Sequence, residues 1–180
     1  MSGRFMSEFT AGVADMSAGA DHAFLAEGAG ARSTFVVVEP WGAQSWSATF
    51  AAPDPGRRAL SALLGTPNPT GLCVVERGTA FLGDVLNPAS FEAVPTMGPV
   101  VAAEELEEER VLLLVGPWTI TAVSSAGVLW ETRRLAIDGL RVAEASGGWV
   151  RGASDPDDGE PREFAVELAT GQVAGGATIA

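Results

Sequence analysis

Short apolar runs alternate with turn residues along the C-terminal half of the chain. Between Val111 and Gly176 the runs VLLLV, TITAV, VLWET, LRVAEA and FAVEL are separated by turn segments such as SSAG, SGG and ATG. Runs of this length, rich in Val, Leu, Ile, Thr and Trp and bounded by glycine-containing turns, are typical of consecutive antiparallel strands. The pattern therefore predicts a β-meander over this region.

The same alternation predicts strands earlier in the chain. Ser33–Glu39 ends at Pro40, Ser45–Ala51 ends before Pro53, and the segment between the two runs has the composition of a hairpin loop. Further runs, LCVVE, TAFLGDV and SFEAV, follow after residue 70. Strands are thus expected over most of the chain.

An internal repeat links the middle of the chain to its C-terminal half. Val75 precedes Leu113 by nearly the same number of residues as Phe81 precedes Ile120. A near-constant offset indicates that one supersecondary unit is used more than once.

Two segments have a helical pattern instead. Apolar residues between Phe5 and Ala20 follow the three-and-four spacing of one helical face, although Gly12 and Gly19 weaken a helix there. A second helical pattern covers residues 54–65, where three leucines share one face between an Asp-Pro start and a glycine stop. We therefore expect one or two short helices.

These patterns predict an all-β fold of tandem antiparallel β-meanders with one or two short helices. The meanders form either an open propeller-like stack or a two-sheet sandwich. We assign residues 1–30 to an N-terminal arm or short helix and residues 31–180 to a single β domain, since 180 residues with 47% hydrophobic content suit one domain.

The segments LLLVGPWTITAVSSAGVLWET and FAVELATGQVAGG carry a resemblance to a known family. Over residues 71–176 the chain resembles the repeats of quinoprotein-type β-propellers, in which a strand ending in an Ala-Val-like pair precedes a glycine turn and a strand beginning near Trp. The resemblance implies blade-like sheets. Because a blade takes about 40–50 residues and a closed ring needs at least about four blades, an open stack is the more economical arrangement. No cofactor chemistry is carried over from that family.

The charge of the chain favours some partners over others. Asp and Glu number 23 against 11 basic residues, all of them arginine, so the net charge is -12. Such a field repels nucleic acid phosphates and anionic lipid, and it attracts basic proteins and cations. We therefore expect no nucleic acid or membrane partner, and a basic protein as the most natural partner.

Cysteine content and hydropathy bear on the compartment. Cys73 is the only cysteine, which excludes an intrachain disulfide and a cysteine-based zinc site. The N-terminal sequence lacks the apolar core of about 7–15 residues that secretion needs, and no run of about 18 apolar residues occurs. These features predict a cytoplasmic protein.

Residues with reactive side chains give no catalytic pattern. His22 is the only histidine, and no G-x-S-x-G motif accompanies it. Cys73 lies within an apolar run and is expected to be a small buried hydrophobe. The loop from Asp155 to Glu160 is rich in oxygen ligands, but the spacing of a calcium-binding loop is broken, so we interpret it as a solvated turn. We predict no catalytic, metal-binding or cofactor-binding residues.

An acidic run and a tryptophan are the candidate partner-binding residues. Five glutamates surround Leu106, and Trp118 lies next to a turn, where an exposed indole could anchor a partner. The simplest interpretation of the run is a solvated turn before the strand Val111–Val115; the alternative is a docking surface, because clustered carboxylates accelerate association with positive proteins. The predicted partner-binding residues are Glu104, Glu105, Glu107, Glu108, Glu109 and Trp118.

Three functional hypotheses follow. The first is a non-enzymatic protein-binding domain with an acidic surface, such as a bacterial immunity or antitoxin protein that neutralises a basic toxin. The second is a small-molecule or carbohydrate-binding β domain, or a weak hydrolase that uses Asp and Glu, with a concave site lined by an exposed Trp and carboxylates. The third is a structural subunit whose sheet edges pair in a homo-oligomer.

Overall fold

The computed structural model describes residues 5–15, 19–155, 157 and 160–177. Within these residues the chain forms sixteen β-strands and no helix, and the strands build four separate sheets of four strands each. The all-β fold of tandem antiparallel meanders predicted from the sequence is therefore confirmed.

The four sheets follow one another along the chain. Sheet 1 contains β1 (Phe9–Val13), β2 (His22–Leu25), β3 (Ser33–Pro40) and β4 (Trp46–Ala51). Sheet 2 contains β5 (Ala62–Gly65), β6 (Gly71–Glu76), β7 (Thr79–Asp84) and β8 (Asn87–Ala93). Sheet 3 contains β9 (Ala102–Leu106), β10 (Val111–Val115), β11 (Ile120–Ser124) and β12 (Gly127–Glu131). Sheet 4 contains β13 (Leu140–Ser146), β14 (Trp149–Ser154), β15 (Arg162–Glu167) and β16 (Val173–Gly175).

Sheets 2, 3 and 4 are simple antiparallel meanders, because each strand pairs with the next one in the chain. Two of their hairpins use two-residue turns in which both central residues have positive φ: Arg77-Gly78 after β6 and Gly147-Gly148 after β13. Such turns match the right-handed twist of the flanking strands. Sheet 1 differs, since its order is β1-β3-β4-β2 and β2 runs parallel to β4.

The sheets pack face to face in chain order. Three clusters of buried side chains join sheet 1 to sheet 2, sheet 2 to sheet 3, and sheet 3 to sheet 4. Representative members are Phe50 and Phe81 in the first cluster, Cys73 and Leu112 in the second, and Leu113 and Val166 in the third. No buried cluster of the described residues joins sheet 4 back to sheet 1, so the sheets form an open stack.

The inner sheets explain the continuous apolar runs of the sequence. Leu112 and Leu113 are neighbours in β10, and because side chains alternate across a strand they enter different clusters. Every residue of β6 and of β10 is buried. A strand that is covered on both faces needs apolar residues at every position, whereas a strand covered on one face needs them only at alternate positions.

Both predicted helices are wrong for the residues that the structure describes. Phe9–Val13 is a strand that pairs with β3, so its phenylalanine and alanine point inward at alternate positions. In the second segment Ala62–Gly65 is a strand, and Leu63 and Leu64 pack into different clusters on its two faces. The three-and-four spacing arose here from a two-sided strand, because short apolar runs fit both periods. Of the N-terminal helical pattern, Met16 lies outside the described residues.

Candidate functional site

The predicted acidic run lies on a hairpin at the edge of sheet 3. Glu104 and Glu105 belong to β9, which is an edge strand, and Glu107–Glu109 lie in the turn to β10. We call residues 104–109 the acidic ridge. Because the chain reverses within the ridge, all five glutamates belong to one edge hairpin of the stack.

The carboxylates of the ridge surround this edge instead of lying on a single flat face. Within β9, Ala103 packs toward the sheet 2–3 cluster and Leu106 toward the sheet 3–4 cluster, so alternation places Glu105 and Glu104 on opposite faces. Glu104 is exposed, as are the first two turn glutamates, 107 and 108. Glu104, Glu107 and Glu108 therefore present negative charge to solvent along this edge.

Trp118 lies at the far end of β10 from the ridge. The ridge turn precedes β10 and Trp118 follows it, so five residues at a rise of about 3.3 Å per residue separate the two by roughly 16 Å. The Trp118 indole N–H donates to the carbonyl oxygen of Ile137 at 2.9 Å. The guanidinium groups of Arg57 and Arg134 lie 5.5 and 5.3 Å from the ring centroid. Trp118 is thus partly buried and occupied by internal contacts, and the structure does not bring it together with the ridge.

Trp41 is an exposed tryptophan that is not among the predicted partner-binding residues. It lies in the hairpin loop between β3 and β4 and is 66% exposed. Its position next to a glycine turn was the available signal, and Trp118 shares that signal. Position beside a turn does not distinguish an exposed tryptophan from one that packs under arginines.

A cleft of about 370 Å³ opens beside the hairpin loop of sheet 1 and holds the only histidine. Its lining includes Asp21, His22, Gln44 and Trp46. The His22 ring packs edge-on against Trp46 with centroids 5.7 Å apart. The Trp46 indole N–H donates to the backbone oxygen of Val85 at 2.9 Å, which fixes the ring between sheets 1 and 2.

Asp21 is held in place at the rim of this cleft by one serine. Its Oδ2 accepts hydrogen bonds from the Ser47 hydroxyl and the Ser47 backbone N–H, each at 2.8 Å. These two hydrogen bonds lower the pKa of Asp21 below its usual value, with the hydroxyl contributing most. The cleft therefore combines an aromatic wall with a carboxylate that stays ionised near neutral pH. His22 contacts aromatic rings there, and no hydrogen bond joins it to Ser47.

Cys73 lies in β6, on the face of sheet 2 that packs against sheet 3. It is fully buried, and burial raises the pKa of its thiol to about 12. The prediction of a small buried hydrophobe is confirmed. His22 lies beside Trp46 where sheets 1 and 2 meet, whereas Cys73 lies on the opposite face of sheet 2. The two residues therefore do not form a pair of nucleophile and base.

Asp155, the first residue of the acidic loop, fixes the backbone of the segment that precedes β13. Its Oδ1 accepts hydrogen bonds from the N–H groups of Ile137 and Asp138, at 2.7 and 2.6 Å. Asp157 lies 3.5 Å from the exposed guanidinium of Arg141. Residues 156, 158 and 159 of the predicted turn lie outside the described residues. In the part of the chain that is described, no three His, Cys, Asp or Glu residues are grouped so that they could hold a metal ion.

A cleft of about 590 Å³ lies on the face of sheet 4 that points away from sheet 3. Its floor carries alanines from neighbouring strands, and two arginines, Arg141 and Arg151, line it together with Glu163. This cleft could not be predicted from the sequence, because alternating alanines have too little hydrophobic contrast to identify a face.

Comparison with models of known protein families and with curated proteins found no match. The likeness to quinoprotein-type propeller repeats therefore stays a prediction. Among the described residues there is no helix long and apolar enough to cross a membrane.

Proposed function

We propose that this protein is a non-enzymatic binding domain whose acidic ridge docks a basic protein partner in the cytoplasm. The observation that carries the proposal is the grouping of five glutamates on one edge hairpin, where Glu104, Glu107 and Glu108 are exposed. A bacterial immunity or antitoxin protein is the concrete form of this proposal.

The geometry of the ridge suits electrostatic docking. Charges concentrated on a protruding edge act together on an approaching partner, while the net charge of -12 adds a long-range field of the same sign. Complementary charge of this kind increases the association rate and makes it strongly dependent on salt. The rigid β9–β10 pairing, in which Leu106 opposes Val111, holds the carboxylates in place before binding.

A triple substitution tests the role of the ridge. Glu104→Gln, Glu107→Gln and Glu108→Gln together remove three charges with little change in side-chain volume. A matched control replaces Glu27, Glu92 and Glu160, which are exposed glutamates outside the ridge, with glutamine. Both variants carry the same net charge, so any difference between them reports position and not total charge.

The partner is first captured from the native host with the tagged wild-type protein, then purified and measured by surface plasmon resonance. We expect a basic protein whose association rate falls by about tenfold or more for the ridge variant and much less for the control. The rate should also fall steeply between about 0.05 and 0.5 M salt. An acidic or neutral partner, or equal rates for the two variants, would contradict the proposal.

The cleft beside the hairpin loop favours a second candidate function, the binding of a small molecule or carbohydrate. The specific observation is the combination of an ionised Asp21 with His22, Gln44 and the edge of Trp46 around about 370 Å³. Such a cavity is within the usual size range of ligand sites. Titration with a panel of glycans and metabolites, monitored by tryptophan fluorescence in wild-type protein and Gln44→Ala, tests it. A flat response across the panel would remove this candidate.

A further inference from the structure

The cleft of about 370 Å³ beside the hairpin loop is built where two parallel strands begin. We call it the strand-start cleft. The pairing of β2 with β4 is the one parallel pairing among the described strands. Because parallel neighbours begin at the same end of a sheet, Asp21 and His22 at the start of β2 lie beside Trp46 and Ser47 at the start of β4. An antiparallel pairing would place these strand starts at opposite ends, so the exceptional topology of sheet 1 assembles the cleft.

Sheet 2 supplies an apolar wall on the other side of this cleft. Val85 and Leu86 lie in the turn between β7 and β8, and Pro88 lies in β8. The Val85 carbonyl accepts the hydrogen bond from the Trp46 indole, which joins the two sheets at this point, and Leu86 is 55% exposed. The hydrocarbon part of a bound molecule can therefore pack against this wall.

The strand-start cleft contains one carboxylate and no arginine. Among the residues that line it, Asp21 is the only acid, and the other titratable side chain is that of His22. Asp21 takes part in neither of the ion pairs between described residues. With a neutral histidine the cleft therefore carries a negative charge that no cation of its lining offsets, and such a site favours a cationic ligand over a neutral or anionic one.

Hydrogen bonding within the protein uses only one oxygen of the Asp21 carboxylate. The two hydrogen bonds from Ser47 both go to Oδ2, whereas Oδ1 accepts none from the described residues. The Asp21 backbone N–H donates in return to the Ser47 hydroxyl at 3.3 Å. The carboxylate is thus held in one orientation while an acceptor remains for a ligand, which lowers the ordering cost of binding. A charged N–H donor forms a stronger hydrogen bond with a carboxylate than a neutral donor does.

We propose that the strand-start cleft binds a small organic cation with N–H donors, a primary ammonium or a guanidinium on a short apolar chain. This inference rests on the second candidate function, because it names the ligand class for the same cleft. The cation pairs with Asp21, and its hydrocarbon chain packs against Leu86 and Pro88. A quaternary ammonium fits less well, since recognition without N–H donors relies on exposed aromatic faces and Trp46 is only 8% exposed.

Four probes that share a butyl chain test the ligand class. They are n-butylammonium, n-butyltrimethylammonium, n-butanol and butyrate, and each is titrated near neutral pH into isotope-labelled wild-type protein. Heteronuclear NMR follows the backbone amides of Asp21 and His22 and the indole N–H of Trp46. We expect saturable shifts of these resonances with n-butylammonium, and weaker binding of the other three probes, because only n-butylammonium combines positive charge with N–H donors.

Two charge-matched variants locate the binding site. Asp21→Asn removes the carboxylate of the cleft, and Glu27→Gln removes an exposed carboxylate that follows β2 at its other end. The first should weaken n-butylammonium binding by about three- to tenfold, and the second should leave it unchanged. Gln44→Glu adds a carboxylate to the lining and should strengthen the binding, so the test does not depend on Asp21→Asn alone. Thermal unfolding verifies that each variant is folded.

The possible failures separate the ligand class from the function of the cleft. Equal affinities for Asp21→Asn and Glu27→Gln, or n-butanol that binds as well as n-butylammonium, would overturn the cation. Equal binding of n-butyltrimethylammonium would overturn the need for N–H donors. If none of the four probes shifts these resonances while a glycan of the panel does, the inference fails and the second candidate function stands. Silence of both the probes and the panel would remove both.

Discussion

The inner sheets and the end sheets of the stack place different demands on the sequence. In sheet 2 every position of β6 is buried, and in sheet 3 the same holds for β10. In sheet 4, by contrast, β13 has no buried residue and β15 has two. The number of covered faces, and not the strand itself, therefore sets the hydrophobic pattern.

This difference shows how a stack of sheets ends. Inner sheets are covered on both sides, whereas an end sheet must either present a polar face to water or bind something. Repeat proteins solve the problem with polar capping units. Here the faces of sheets 1 and 4 that point away from the stack carry both apolar and charged side chains, such as Leu25 and Glu39 on sheet 1 and Ala174 and Glu163 on sheet 4.

The largest loss of stability is expected from Phe50→Ala. Phe50 is fully buried between sheets 1 and 2, and its ring centroid lies 5.3 Å from that of Phe81. Removing the ring leaves a cavity in a packed interface, so the free energy of unfolding should fall by about 3–5 kcal/mol. Urea unfolding followed by tryptophan fluorescence measures it. The control is Phe35→Ala, on the face of sheet 1 that points away from sheet 2, and it should lower the free energy of unfolding by less. Equal losses of stability for the two variants would show that the two faces of the sheet do not differ.

Arg77→Met should have the next largest effect, because it leaves a buried carboxylate without its cation. Glu76 is 4% exposed, and its Oε1 lies 3.2 Å from Nε of Arg77, while its Oε2 accepts from the Thr34 hydroxyl at 2.6 Å. We expect a loss of roughly 3 kcal/mol in the free energy of unfolding. The exposed Arg58, changed to Met, is the matched control, and a double-mutant cycle with Glu76→Gln isolates the pair. A cycle with no coupling energy would contradict this account.

Cys73→Ser should lower the free energy of unfolding by a moderate amount, about 1–3 kcal/mol, because it buries a hydroxyl between sheets 2 and 3 among apolar side chains. Cys73→Ala separates the cost of polarity from that of lost volume.

Since burial raises the pKa of the Cys73 thiol to about 12 from 9.0, the stability that this group contributes is complete below about pH 9 and is lost as the pH rises toward 12. Iodoacetamide should label the Cys73 thiol slowly in native protein and rapidly in urea. Fast labelling without denaturant would show that the packing between sheets 2 and 3 opens.

The smallest change in stability is expected from Asp21→Asn, beside sheet 1. Hydrogen bonds from Ser47 lower the pKa of this exposed carboxyl in the folded protein, so its contribution to stability is present above the usual value of 3.8 and is lost as the pH falls below it. Thermal unfolding of the wild type and the variant should therefore differ slightly at pH 7 and converge in acid. A difference that grows as the pH falls would contradict this sign.

The sequence predicted much of the fold but little of its sites. Strands such as Val111–Val115 were located because a continuous apolar run between turns is distinctive. The segment around Leu63 and Leu64 was misassigned, since a strand with two covered faces and an amphipathic helix share the same short pattern. The acidic ridge and Trp118 lie at opposite ends of the strand Val111–Val115, which the sequence pattern also predicts, so their separation could have been inferred from the sequence.

By itself, then, the sequence determined that this chain folds into tandem meanders, because glycine turns and β-branched runs act locally. It also determined the negative field, because charge is a sum over residues. Only the tertiary structure decided which faces are covered. Val37 and Val38 are neighbours of one type, yet Val38 is fully buried and Val37 remains partly exposed, because sheet 2 packs on one side of β3 and the stack ends on the other.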